Sequence, residues 1–149
     1  MTLSLPFAAL CVSRLVLAAP LEGPSSVPLP VRIDVPDAAV LEGEAIGFTV
    51  VEGVDGAISV DGCSPIEVEE ESGGKWLSRA VTECQRPMPA SQVSGELTIS
   101  VGAPAAGTYR AVLAWGAGCA PGFPLSTATC TQLGSAVSAP VTVSVPAKK

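Results

Sequence analysis

The chain has 149 residues, 48% of them apolar and 15% charged, with 15 glycines, 14 prolines and a formal net charge of −6. It is too apolar for a disordered chain, and Gly and Pro recur too often for ordinary helices, so short strands joined by turns are expected. The acidic balance disfavours nucleic acid and anionic membranes as partners, and the absence of His removes the usual general base and the commonest metal ligand.

Residues 1–19 read as a signal-peptide-like segment. They are apolar, and Val16-Leu17-Ala18 and Leu17-Ala18-Ala19 resemble cleavage sites. No basic residue precedes the apolar run, and Arg14 interrupts it; the alternative is an apolar arm packed on the domain. The run is too short for a transmembrane segment. Lipid anchoring through Cys11 is disfavoured, because Ala8 and Leu10 stand where such an anchor carries a leucine and a small residue. Residues 20–30, with Pro24, Pro28 and Pro30, read as an extended linker. The domain is expected over residues 31–146.

Period-2 alternation marks four strands. Val31, Ile33 and Val35 form the first apolar row, and Ile46, Phe48 and Val50 the second. Leu97, Ile99 and Val101 form the third, and Val141, Val143 and Val145 the last. Weaker strands are read at Ala57–Asp61, at Ile66–Glu70 with Ile66 and Val68 inward, and at Lys75–Val81. A long central strand is read at Thr108–Trp115. Turns fall at Glu42-Gly43, Asp55-Gly56, Asp61-Gly62, Ser72-Gly73-Gly74 and Pro104–Gly107. About seven or eight antiparallel strands with turns every ~8–12 residues predict an all-β sandwich.

Pro104-Ala105-Ala106-Gly107-Thr108-Tyr109-Arg110 resembles the turn into the sixth strand of immunoglobulin-like domains. Glu42-Gly43-Glu44, Phe48-Thr49-Val50 and Gly73-Gly74-Lys75-Trp76 extend the resemblance to the Ig-like domains of exported bacterial proteins. It covers residues 31–145 and implies an Ig-like sandwich in which the Tyr109 hydroxyl bonds back to the preceding turn. The alternative for Tyr109 is an ordinary half-buried strand aromatic. Ala111 and Phe48 stand where antibody domains carry the two cysteines of their inter-sheet disulfide, so that bridge is absent. The resemblance implies a fold and no shared activity.

With Cys11 set aside, Cys63, Cys84, Cys119 and Cys130 remain. Three pairings are open; Cys63–Cys84 and Cys119–Cys130, which close local loops, are favoured. The spacings are too long for the close cysteine pairs of a zinc site, and with no His a nucleophilic thiolate lacks its base.

Glu67, Glu69, Glu70 and Glu71 read as a solvated strand edge rather than a calcium site or a hydrolase pair. Trp76 and Trp115 read as core or cap residues, and Arg110 as a partner for a strand carboxylate. The loop between Cys119 and Cys130 carries the candidate binding residues Phe123 and Leu125, read as projecting from a stiff tip; the alternative is that Phe123 caps the open end of the sandwich.

The functional expectation is a secreted or periplasmic, non-catalytic binding or structural module, monomeric and without cofactor or metal. Its partner would be an unknown protein or cell-envelope ligand. The alternative is a protease inhibitor acting through the loop closed by Cys119 and Cys130.

Overall fold

The computed structural model describes residues 31–37, 39–53, 56–79, 84, 86–102 and 104–147. The signal-like segment, the linker and Cys11 lie outside the described residues. Eleven strand segments occur among the described residues: β1 (Val31–Asp34), β2 (Val40–Leu41), β3 (Ile46–Glu52), β4 (Ile58–Val60), β5 (Glu67–Ser72), β6 (Lys75–Arg79), β7 (Ser91–Val93), β8 (Glu96–Val101), β9 (Gly107–Ala117), β10 (Gln132–Val137) and β11 (Val141–Ser144). The expected all-β sandwich is present: a sheet in the order β1-β3-β8 faces a larger sheet built around β9.

β9 carries two neighbours on each side. β4 and β5 lie end to end along one, β11 and β10 along the other. Val60 pairs with Trp115 and Glu67 with Val112, so the chain between β4 and β5 is longer than the stretch of β9 it passes. The excess leaves the sheet as a loop that carries Cys63. Between β10 and β11 a smaller bulge is bridged by Ser138, whose hydroxyl accepts from Ala111 N (2.9 Å) while its own N–H reaches Ala111 O (2.9 Å). β6 pairs β5 through the Gly73-Gly74 turn, where both residues hold positive φ (59° and 78°), the conformation a two-residue hairpin requires. β2 runs parallel to β11, the one pairing among the described residues that departs from the expected antiparallel pattern.

The expected inward rows supply the core. Val31, Ile33, Ile46, Phe48 and Val50 from one sheet meet Ile58, Val60, Val68, Leu113 and Trp115 from the other, all buried. Each large aliphatic or aromatic side chain withdrawn from water in this way contributes about 1.5–3 kcal/mol. Some details differ from the sequence reading. Val145 is exposed because β11 ends at Ser144. Leu97 and Ile99 are only partly buried, since β8 pairs with β3 alone and forms an edge of its sheet.

Strands β2, β7 and β10 are not legible as alternating segments. In β10 the pattern is inverted: Leu133 and Val137 face outward, while Gly134 and Ala136 face the core. Packing explains this. A Cβ at Gly134 would stand 2.5 Å from Trp115 Cζ2, so the large indole on β9 takes the volume that a side chain on β10 would need.

Candidate functional site

The two disulfides join Cys63 to Cys84 and Cys119 to Cys130. The Cys119–Cys130 bridge lies just past the end of β9 at Ala117, and Cys63 lies in the loop that leaves the sheet between β4 and β5, beside Trp115 and Val112. Asp61 opens the first loop as a turn former, its Oδ1 accepting from Cys63 N (2.9 Å) and Ser64 N (3.0 Å). A third segment joins them: Ala90 N donates to Phe123 O (2.9 Å). A Cβ at Gly62 would stand only 2.0 Å from Pro89 O. The loops carrying Cys63, Cys84 and Cys119–Cys130 are therefore tied together by one covalent bridge, a backbone hydrogen bond and a close backbone approach, while the second bridge closes the Cys119–Cys130 loop on itself.

The Cys119–Cys130 loop does not project freely. It folds back over the outer face of the larger sheet at Gly116. A Cβ there would stand 2.5 Å from Cys119 Sγ, 2.8 Å from Cys130 Sγ and 3.2 Å from Leu125 Cδ1. Beneath the same loop Ser59, which pairs with Gly116 and points outward with it, is buried. Turns shape the loop from within: Thr127 N (3.0 Å) and Ala128 N (2.9 Å) both donate to Pro124 O, and Ala120 N donates to Thr129 O (2.9 Å).

This geometry separates the two candidate binding residues. Phe123 is 55% exposed and available to a partner, whereas Leu125 is 8% exposed and plugs the loop onto the sheet. Leu125 is thus a packing residue, because the space above Gly116 offers it burial that the loop tip does not. Sequence reasoning missed Met88, 44% exposed, which lies two residues from the Ala90–Phe123 hydrogen bond. Its spacing in the sequence carries no signal; only the fold brings its segment to the loop. Pro87, Pro89 and Pro121 in the same segments are also exposed and stiffen the backbone there.

Elsewhere the polar candidates are engaged with one another. Arg110 Nε donates to Glu69 Oε2 (2.6 Å), and its guanidinium lies 4.2 Å from the Trp76 ring centroid. Arg79 pairs with Glu70. Trp115 is a core residue as expected, but Trp76 is not; it lies half-buried on the outer face beneath Arg110. Tyr109 Oη donates to Ala105 O (2.9 Å), closing the turn into β9.

No helix among the described residues is long and apolar enough to cross a membrane, and these residues hold no group of three or more His, Cys, Asp or Glu placed to bind a metal ion. No family model matches the chain, and neither a curated protein nor a solved structure matches it significantly.

Proposed function

We propose that this protein is an exported, non-catalytic immunoglobulin-like module that binds a protein or cell-envelope partner through its disulfide-tied end. The observation that carries the reading is the surface around Phe123 and Met88, large apolar side chains held in water on loops fixed by two disulfides. Pre-fixed loops lose little entropy on association, so an exposed aromatic there makes an effective anchor.

The Ig-like assignment is supported by the strand order. β1-β3-β8 faces β11-β9-β5-β6, the first part of the chain divides between the two sheets as β1 and β2, and β2 runs parallel to the final strand. The Tyr109–Ala105 bond supports it further. Two disulfides in a small β domain favour an oxidising compartment, in keeping with the signal-like first 19 residues. The non-catalytic reading is supported by four sulfurs locked as disulfides, so that none is a thiolate, and by Glu69 and Glu70 being held by arginines.

The geometry does not favour the protease-inhibitor reading. An inhibitor loop presents an extended backbone whose scissile carbonyl is free for the enzyme. Here the Phe123 carbonyl is taken by Ala90, and residues 124–128 are curled into turns.

The test is quantitative binding of the purified protein to isolated cell-envelope fractions, with Phe123→Ser beside it. Saturable binding that weakens at least tenfold in the variant is expected, a loss of about 1.4 kcal/mol. Absence of binding, or equal binding by both proteins, overturns the reading. Intact mass of the exported protein with and without reductant checks processing and bridging together.

A further inference from the structure

Away from the disulfides, at the end where β9 begins, the two sheets leave a cavity of about 490 Å³. At strand rise, Tyr109 lies about 26 Å along β9 from Ala117, so this cavity is well apart from the Cys119–Cys130 loop and Phe123. Pro104, Ala105 and the edge of the Tyr109 ring line it over the buried Ile46, Val68 and Val101, and Glu70 and Arg79 are the charged side chains among its lining residues. Its size falls within the ~300–1,000 Å³ of small-molecule sites, and its make-up, mostly apolar with a few convergent polar groups, is typical of them.

The two oxygens of Glu70 are not equivalent. Oε2 accepts from Arg79. Oε1 has no donor among the described residues and lies beside Gly107, where a Cβ would stand 3.3 Å from Oε1 and 3.3 Å from Tyr109 Oη. The Glu70 side chain is 20% exposed and Oε1 is open to solvent, so a ligand in the cavity can reach it. Tyr109 already gives its proton to Ala105 O. Burial first, then Glu70, raises the Tyr109 pKa; Arg79 opposes this and Glu42 adds to it.

We propose that this cavity binds a small molecule with one ammonium group and a compact apolar body, the ammonium donating to Glu70 Oε1 and the body lying against Pro104, Ala105 and the edge of the Tyr109 ring. An ammonium brings three donors and no acceptor, which matches a carboxylate oxygen lacking a partner. A carboxylate ligand would face the charge of Glu70 and find Arg79 already engaged. A neutral ligand would gain the apolar contacts only.

Three probes of similar shape separate these cases: phenethylamine, phenethyl alcohol and hydrocinnamate. Each is titrated into the isotopically labelled protein while the signals of Ile46, Val68, Val101 and Tyr109 are followed. The amine is expected to shift them saturably and to bind at least tenfold tighter than the alcohol, with the anion weakest. In Glu70→Gln the preference of amine over alcohol should fall to about one. If that variant does not fold, Glu70→Asp keeps the charge but draws the carboxylate back by one methylene; the preference of amine over alcohol then drops. Phe123→Ser should leave all three titrations unchanged, which distinguishes this site from the proposed partner surface. No saturable shift with any probe, anion binding as tight as amine binding, or an unchanged preference in the variants overturns the proposal.

Discussion

Replacing Gly116 by alanine tests how the Cys119–Cys130 loop is held. The new methyl would stand 2.5 Å and 2.8 Å from the two sulfurs and 3.2 Å from Leu125 Cδ1, each closer than a normal contact. β9 cannot retreat, because it is paired on both sides at this point, with Ser59 of β4 and Leu133 of β10. If the loop stays down, the overpacking costs about 1–3 kcal/mol. If it lifts, Leu125 loses a burial worth about 1.5–3 kcal/mol. Either route predicts a loss of about 2 kcal/mol. At an m-value of ~1.5 kcal/mol/M this lowers the urea midpoint by about 1.3 M. Hydrogen exchange separates the routes, since lifting exposes Thr127 N and Ala128 N, which now bond to Pro124 O. Gly102→Ala is the control, because its Cβ would meet nothing within 4 Å and the change should stay within ~0.5 kcal/mol. A Gly116→Ala midpoint equal to that of the control would refute the docking of the loop on the sheet.

Further outcomes follow from the same contacts. Cys119→Ser/Cys130→Ser should lower stability by about 2–4 kcal/mol, read by denaturant titration, by releasing a bridge that restricts the unfolded chain. Gly134→Val should destabilise by at least about 1–3 kcal/mol, with altered Trp fluorescence, because the new side chain meets the Trp115 indole. Tyr109→Phe should cost about 0.5–1.5 kcal/mol through the lost bond to Ala105 O, seen as a lower urea midpoint at neutral pH. Tyr109 also sets a pH dependence. Burial first, then Glu70, raises its pKa above 10.0, so the folded state holds the phenol proton more tightly than the unfolded chain. That contribution is complete below pH 10 and is lost as pH rises through the higher folded value. Unfolding titrations at stepped alkaline pH should therefore show a steeper decline in the parent than in Tyr109→Phe; equal slopes would refute the assignment.

The strands that announce themselves in the sequence are those whose burial is local. Val31 and Ile33, Ile46 to Val50, and Val141 and Val143 alternate because successive side chains of a strand point to opposite faces, and one face is dry. The Gly73-Gly74 hairpin is legible for a similar reason, since its backbone conformation is chosen by the two residues themselves. The cysteine pairs close the short loops that their spacing suggests.

What stayed hidden depends on residues distant in the chain. β10 reads as no strand because its inward positions are small, and they are small because Trp115 fills that space from β9. Phe123 and Leu125, two residues apart and similarly apolar, take opposite fates because only Leu125 reaches the hollow over Gly116. The amino-acid sequence alone determined the class of fold, its main apolar rows and its principal turns, all of which arise from short-range periodicity and backbone preference. Tertiary structure decided which loop residues meet solvent, how three loops join at one end, and where a cavity opens at the other. Those outcomes depend on volumes and hydrogen-bond partners supplied by other strands, and no local window of sequence contains them.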